Sequence, residues 1–302
     1  MVALAVGINP TKLPGGDNKL LPRLSQMLDG WRKSDPPPTK KLPVEADTPE
    51  YLCHMGQAKT ATPLEAAVGD LTVIAFYYLL RVGKYTTKGA RNSSKQTVQF
   101  KLEEVTFFRT DAKGNLRQLG CNAPREIIMT VQSAILKLDN QKNGWRGVCI
   151  HQVDNGEQLV CPVRALGRRY IAIRAHLDNP KLLLSSYYSE GIRQDVTDKH
   201  IRAALKLAAG ALGYPARGLP IDRIDTHSLR SGGANALLLA GYSGTQIQKM
   251  GWWKGAKLHT FSKGMSKNMK HTFGFVNVAG GVYHNVTNDT IALEYNTAAA
   301  AA

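Results

Sequence analysis

Several groups of residues in this chain have the types and spacing that suit chemistry on a phosphate. The first is Asp225-Thr226-His227-Ser228-Leu229-Arg230-Ser231-Gly232-Gly233. Asp225 or Thr226 fits the cap of a helix that begins at His227, and this puts His227 and Arg230 on one face of its first turn. An imidazole, a guanidinium and the N–H groups of a helix start then meet at one point, which is the donor set that a phosphate in transfer needs. The alternative is a surface histidine and arginine on an ordinary helix. Gly232 and Gly233 allow a neighbouring backbone to come close.

The second residue is Arg81, in Leu79-Leu80-Arg81-Val82-Gly83, directly after the apolar run Ile74 to Leu80. An arginine at the end of a buried helix either binds an anion, pairs with an acid or complements the helix dipole, because an isolated buried charge is costly. The third is Lys142, in Asp139-Asn140-Gln141-Lys142-Asn143-Gly144, where Asn143-Gly144 signals a hairpin turn. A flexible ammonium at a hairpin tip can reach a leaving oxygen, although lysines at such tips are common. The fourth is Gly251-Trp252-Trp253-Lys254. An indole N–H can donate to a phosphate oxygen while its ring packs the site, or the tryptophan pair is simply core.

The elements that must position these residues are legible from periodicity. Residues 18–33 have Leu20, Leu21, Leu24, Met27, Leu28 and Trp31 at helical spacing, followed by Ser34-Asp35-Pro36-Pro37-Pro38-Thr39-Lys40-Lys41, which no helix crosses. A domain boundary is expected near residue 44. Leu64 to Gly83 reads as one long helix, and Thr97 to Phe108, Glu126 to Leu138 and Trp145 to His151 read as strands. Further helices are expected from Cys161 onward with Pro162 in the first turn, over Thr197 to Leu212, Thr226 to Leu239 and Ser243 to Met250. Ser243-Gly244-Thr245-Gln246 fits a capping box. The order of helices, small antiparallel sheet and helices predicts an α+β domain. Gly280 to Ala302 is expected to be a loosely ordered tail.

The 302 residues and 43% hydrophobic content are enough for a sizeable core. Thirty-nine Lys plus Arg against 23 Asp plus Glu give a formal charge of +16, which favours a polyanionic partner, nucleic acid ahead of a membrane surface. Cys53, Cys121, Cys149 and Cys161 form no CxxC pair and accompany no HExxH, so they are expected to be reduced, mostly buried thiols, with no metal site. The opening Met-Val-Ala-Leu-Ala-Val lacks a basic region and a signal-peptide apolar run, and Leu71 to Leu80 is too short to span a bilayer. The expectation is an intracellular protein with no membrane contact.

An Arg after a buried helix, a Lys on a β-turn, His-x-x-Arg at a helix start and a Trp further on, in that order, resemble the tyrosine recombinase (phage integrase) superfamily. Leu-Leu-Arg-Val-Gly-Lys-Tyr-Thr, His-Ser-Leu-Arg-Ser-Gly-Gly-Ala and Gly-Trp-Trp-Lys-Gly are most similar to recombinases of eukaryotic mobile elements, of the Crypton or DIRS kind. The resemblance covers roughly residues 45–275 as the catalytic domain. It implies that residues 1–33 are the remnant of a helical core-binding domain, 34–44 a Pro-rich basic linker and 276–302 a loose tail. It also implies that Arg81, His227, Arg230 and Trp253 hold the scissile phosphate of double-stranded DNA and that Lys142 protonates the leaving 5′ oxygen. Lys254, Lys257 and Lys263 are expected to contact the DNA. No metal or other cofactor is needed, a homo-oligomer on DNA is implied, and the location is nuclear.

In this family a tyrosine about nine residues beyond the tryptophan, between two and three helical turns, attacks the phosphate. Here that neighbourhood reads Lys257-Leu258-His259-Thr260-Phe261-Ser262, and the next tyrosines are Tyr283 and Tyr295. Phe261 has no hydroxyl, and about two helical turns, ~8 residues, are missing between Ala256 and Lys257. Lys84 also stands where the family has Glu. The expectation is a degenerate copy that binds DNA and does not cleave it. The alternatives are an active recombinase using Tyr283 or a nucleophile supplied in trans, a non-catalytic DNA-binding protein, and a helix-rich protein with no nucleic-acid role.

Overall fold

The computed structural model describes residues 22–34, 41–87, 98–120, 122–138, 148–177 and 179–251. The chain divides into two units, Met1–Lys40 and Lys41–Ala302. In the first, α1 (Pro22–Ser34) overlaps the stretch 18–33 whose periodicity predicts a helix and runs one residue past it. The second unit is α+β: helices, a four-stranded antiparallel sheet, a two-stranded hairpin and further helices.

The centre of the second unit is α3 (Pro63–Tyr77), preceded by α2 (Asp47–Gly56). Thr62, Pro63 and Glu65 fix its start. The Thr62 hydroxyl accepts the Glu65 amide at 3.2 Å, Glu65 accepts the Thr62 amide at 2.8 Å, and Pro63 occupies the first turn. Every residue from Ala67 to Phe76 is buried, as a helix apolar on all sides requires.

The expected single helix from Leu64 to Gly83 is broken. Tyr78 caps α3, Leu79 takes a positive φ of 50°, and the Leu80 amide returns to the Ala75 carbonyl at 2.9 Å while the Leu79 amide reaches Phe76 at 3.4 Å. These two bonds are a Schellman stop with leucine in the position usually held by glycine. Arg81 follows in extended backbone (φ −79°, ψ 142°) and precedes the one-turn helix α4 (Val82–Tyr85).

The sheet contains β1 (Val105–Thr110), β2 (Leu116–Gln118), β3 (Ser133–Leu138) and β4 (Val148–Val153) in the order β2-β1-β3-β4. The registers Leu136↔Val105 and Leu136↔Ile150 line up the apolar side chains that face the helices. Two expected strands begin later than their sequences suggest. Leu102–Glu104 is a 3-10 turn, closed by the Glu104 carboxylate on the Lys101 amide at 2.7 Å, and Arg125–Ile128 is the helical turn α5, started by Pro124. The stretch from Trp145 is described from Val148.

Pro162 starts α6 (Pro162–Arg174). The hairpin β5 (Ser186–Ser189) and β6 (Ile192–Asp195) was not expected. Its two-residue turn is Glu190-Gly191, both at positive φ (52° and 77°), a geometry that matches strand twist. Next come α7 (Asp198–Ala211), capped by Thr197, then α8 (His227–Leu239) and α9 (Gly244–Gly251). The Ser243–Gln246 capping box closes at 2.8 and 3.3 Å. Cys53 and Cys161 are buried, whereas Cys149 is exposed, because its side chain alternates to the face of β4 opposite the buried Ile150. Cys121 lies outside the described residues.

Candidate functional site

The site is built at the start of α8. Asp225 folds onto the first turn: its carboxylate accepts the Thr226 amide at 2.6 Å, its carbonyl accepts the Ser228 amide at 2.8 Å, and its amide donates to the Ser228 hydroxyl at 3.0 Å. Arg202 of α7 holds the same carboxylate from outside at 3.0 Å. Burial works against the ionised Asp225, but the Thr226 amide and Arg202 outweigh it and keep the carboxyl below its usual range. Thr226 stands at the cap position without a side-chain bond to the helix. The local work falls to Asp225 and Ser228.

An extended strap secures this turn from behind. The Leu42 amide donates to the Arg223 carbonyl at 2.9 Å, the Val44 amide to the Ser228 carbonyl at 3.2 Å, and Lys41 Nζ to the Asp222 carbonyl at 2.9 Å. The two glycines of the motif make the approach possible. A Cβ on Gly232 would lie 2.2 Å from the Val44 carbonyl oxygen, and one on Gly233 would lie 2.2 Å from that of Phe76. The helix that carries His227 and Arg230 therefore rests directly on the strap and on the end of α3.

The other side of the site comes from the α3 stop. Leu79 sits in a buried cluster with Ala234 and Leu237 of α8, Ile247 and Met250 of α9, and Tyr242 between those helices. The left-handed turn that aims the Leu79 side chain into this cluster also sends the chain on to Arg81. In this way Arg81 is placed relative to α8 by packing, and the geometry is not that of a residue ending one continuous helix.

The structure brings Arg81, His227 and Arg230 together. Arg230 is 4% exposed and donates to the Gly251 carbonyl at the end of α9. Burial, and then the charge of Arg81, bring its guanidinium down to about 9. The ring of His227 reaches solvent, yet it is crowded enough that desolvation lowers its pKa. Arg230 and Arg81 lower it further, and Asp225 opposes them. Arg81 is half-buried and is lowered by desolvation. Three basic groups at a helix N-terminus, with Arg81 opposing the protonation of Arg230 and both opposing that of His227, form a place for an oxyanion, because an anion relieves their repulsion and meets the positive end of the helix dipole.

The same surroundings limit the chemistry. Tyr85 lies close enough to Asp225 to feel its charge, but it is fully buried. Burial and Asp225 push its pKa up, and its burial keeps the hydroxyl from an anion bound at the surface. Lys84 is also buried, with Nζ 5.1 Å from the Phe100 ring centre. The arrangement can grip and stabilise negative charge. Among the described residues it offers no exposed tyrosine beside the three cations.

Lys142, Trp253, Lys254, Lys257, Phe261, Lys263 and Tyr283 lie outside the described residues. Lys142 belongs to the connection between β3 and β4, whose described pairing ends at Leu138↔Val148. Trp253 follows closely on Gly251, the residue whose carbonyl Arg230 holds. Sequence reasoning missed the strap, Arg202 and the Leu79 stop. The only available signals were the Asp two places before the histidine and the absence of a glycine to end α3. A scan against protein-family models finds no match for this chain, and a search of curated proteins finds none either, so a function must rest on the grouping of Arg81, His227 and Arg230.

Proposed function

We propose that this chain is a DNA-binding protein of the tyrosine recombinase kind, a degenerate copy that grips a backbone phosphate and does not cut it. The supporting observation is the convergence of Arg81, His227 and Arg230 on the N-terminal end of α8, where Arg81 lowers the protonation of Arg230 and both arginines lower that of His227. Arg230 and the helix start take the non-bridging oxygens, Arg81 closes the opposite side, and His227 donates from the exposed edge. Trp253 and Lys142 complete the grip by the resemblance. The excess of basic residues supplies the long-range attraction to a duplex.

Phosphate contacts dominate such binding, so sequence preference is weak and Kd falls on the order of 10⁻⁴ to 10⁻⁶ M in physiological salt. The test is fluorescence anisotropy with a labelled duplex across a salt series, on the intact chain and on Arg81→Ala and Arg230→Ala. Affinity should fall steeply with salt, and each variant should bind more weakly with a shallower salt slope. An affinity that does not change with salt, or variants indistinguishable from the parent, would overturn the reading.

A further inference from the structure

A second cationic site lies on the opposite half of α3 from Arg81. A cleft of about 350 Å³ opens between α2, α3, α5 and α6, with Asp70, Arg125, Arg168 and Arg169 in its lining and Met129 and Ala172 among its apolar walls. Its charges do not balance. Arg168 is committed to Asp70, with Nε at 2.8 Å and Nη2 at 2.7 Å from the same carboxylate oxygen, and to the Leu159 carbonyl at 3.0 Å. Arg169 is 2% exposed, and its hydrogen bonds go to the carbonyls of Leu184 and Ser186. One part-buried and one buried guanidinium thus have a single carboxylate between them, bonded to Arg168 and reaching Arg169 only through its charge, and burial pulls Arg169 down to about 10. A buried cation whose hydrogen bonds all go to neutral carbonyls, with its one nearby carboxylate bonded to another arginine, gains from an anion in the adjoining space. Arg125 stands exposed at the rim and adds a third guanidinium.

We infer that this cleft binds a small oxyanion carried on an apolar body, its carboxylate or phosphate group meeting Arg169 and Arg125 and its apolar part lying on Met129 and Ala172. The charge excess selects the head group. The apolar wall selects a ligand larger than a bare ion, and the volume lies at the low end of small-molecule sites. The site shares no side chain with the Arg81 cluster and does not depend on DNA binding.

The test uses the full chain with arginine side chains visible by NMR, titrated with octanoate, octyl phosphate and inorganic phosphate. Octanoate or octyl phosphate should shift the Arg169 Nε–H signal and, at a hundredfold excess over Kd, raise Tm by about 5 °C. Whichever binds more tightly identifies the head group. Arg125→Ala should weaken binding about tenfold, and Ala172→Trp, which fills the cleft from an exposed position, should abolish it. The inference is overturned if no probe moves the Arg169 signal, if inorganic phosphate binds as tightly as the two amphiphiles, or if binding survives Ala172→Trp unchanged.

Discussion

His227 reports most directly on the cluster. Desolvation, then Arg230 and Arg81, favour its neutral form, so the folded pKa lies below the ordinary histidine value of about 6.5. Between those two values the unfolded chain binds more protons than the folded one. Stability therefore rises with pH across that window, and as pH falls it is lost until the folded pKa is passed. The expected outcome is an NMR titration of the imidazole with a midpoint below 6.5, moving up in Arg81→Ala, because one of the charges that suppress protonation has gone. An unchanged midpoint would mean that Arg81 does not act on His227. DNA should move the same midpoint upward, since a phosphate stabilises the imidazolium, and duplex binding should strengthen as pH falls toward 6. The relative placement of His227 and Arg230 was legible in the sequence because a helix start fixes it. Arg81 was legible only as a buried cation needing a counter-charge, since its approach to α8 depends on contacts far apart in the chain.

At the scale of elements, the helix starts at Pro162, Thr197 and Ser243 with Gln246 were readable, whereas the Thr62 and Glu65 cap went unread. The α3 stop was not readable, because a leucine in left-handed backbone costs on the order of 1–2 kcal/mol and no local signal offsets it. The offset is tertiary, through burial of Leu79 against α8 and α9. The hairpin β5–β6 was missed for a related reason, since Glu-Gly is a weaker turn signal than Asn-Gly. These elements make separate predictions. Leu79→Ala loses buried contacts while keeping the backbone strain and should cost about 2–5 kcal/mol. Leu79→Gly loses slightly more side chain but relieves the turn, so urea denaturation should find it the more stable of the two by about 1 kcal/mol. That is the reverse of their order inside a helix. Gly233→Ala should destabilise by about 1–3 kcal/mol or more, because its new methyl meets the Phe76 backbone and the Leu79 side chain at once.

For the whole molecule, the α+β class followed from element order; the proline run led to an expected boundary near residue 44, and the chain divides into compact units at Lys40/Lys41. The strap shows what a one-dimensional reading loses. Leu42 and Val44 read as the end of a linker, yet they hydrogen-bond to the segment bearing His227, and the Glu45 amide reaches the Tyr214 hydroxyl at 2.9 Å. Chemistry at this scale depends on an attacking atom, because stabilised charge alone does not break a phosphodiester. On a nicked suicide substrate the chain should therefore form no covalent 3′-phosphotyrosine adduct. An adduct that disappears in Tyr283→Phe would place the nucleophile in the tail and overturn the proposal of a degenerate, non-cleaving recombinase.

The contact of Gly232 and Gly233 with two backbone carbonyls also bears on how such a gene can drift. Any substitution at the first or second base of a glycine codon installs a residue with a Cβ or a stop, and at these positions a Cβ meets main chain that cannot step aside. Only third-base changes pass without placing a Cβ there. If the chain is the degenerate copy proposed, it would still be held to these two codons for as long as it must fold, and the close seat of α8 on the strap and on the end of α3 would be kept by selection for folding alone.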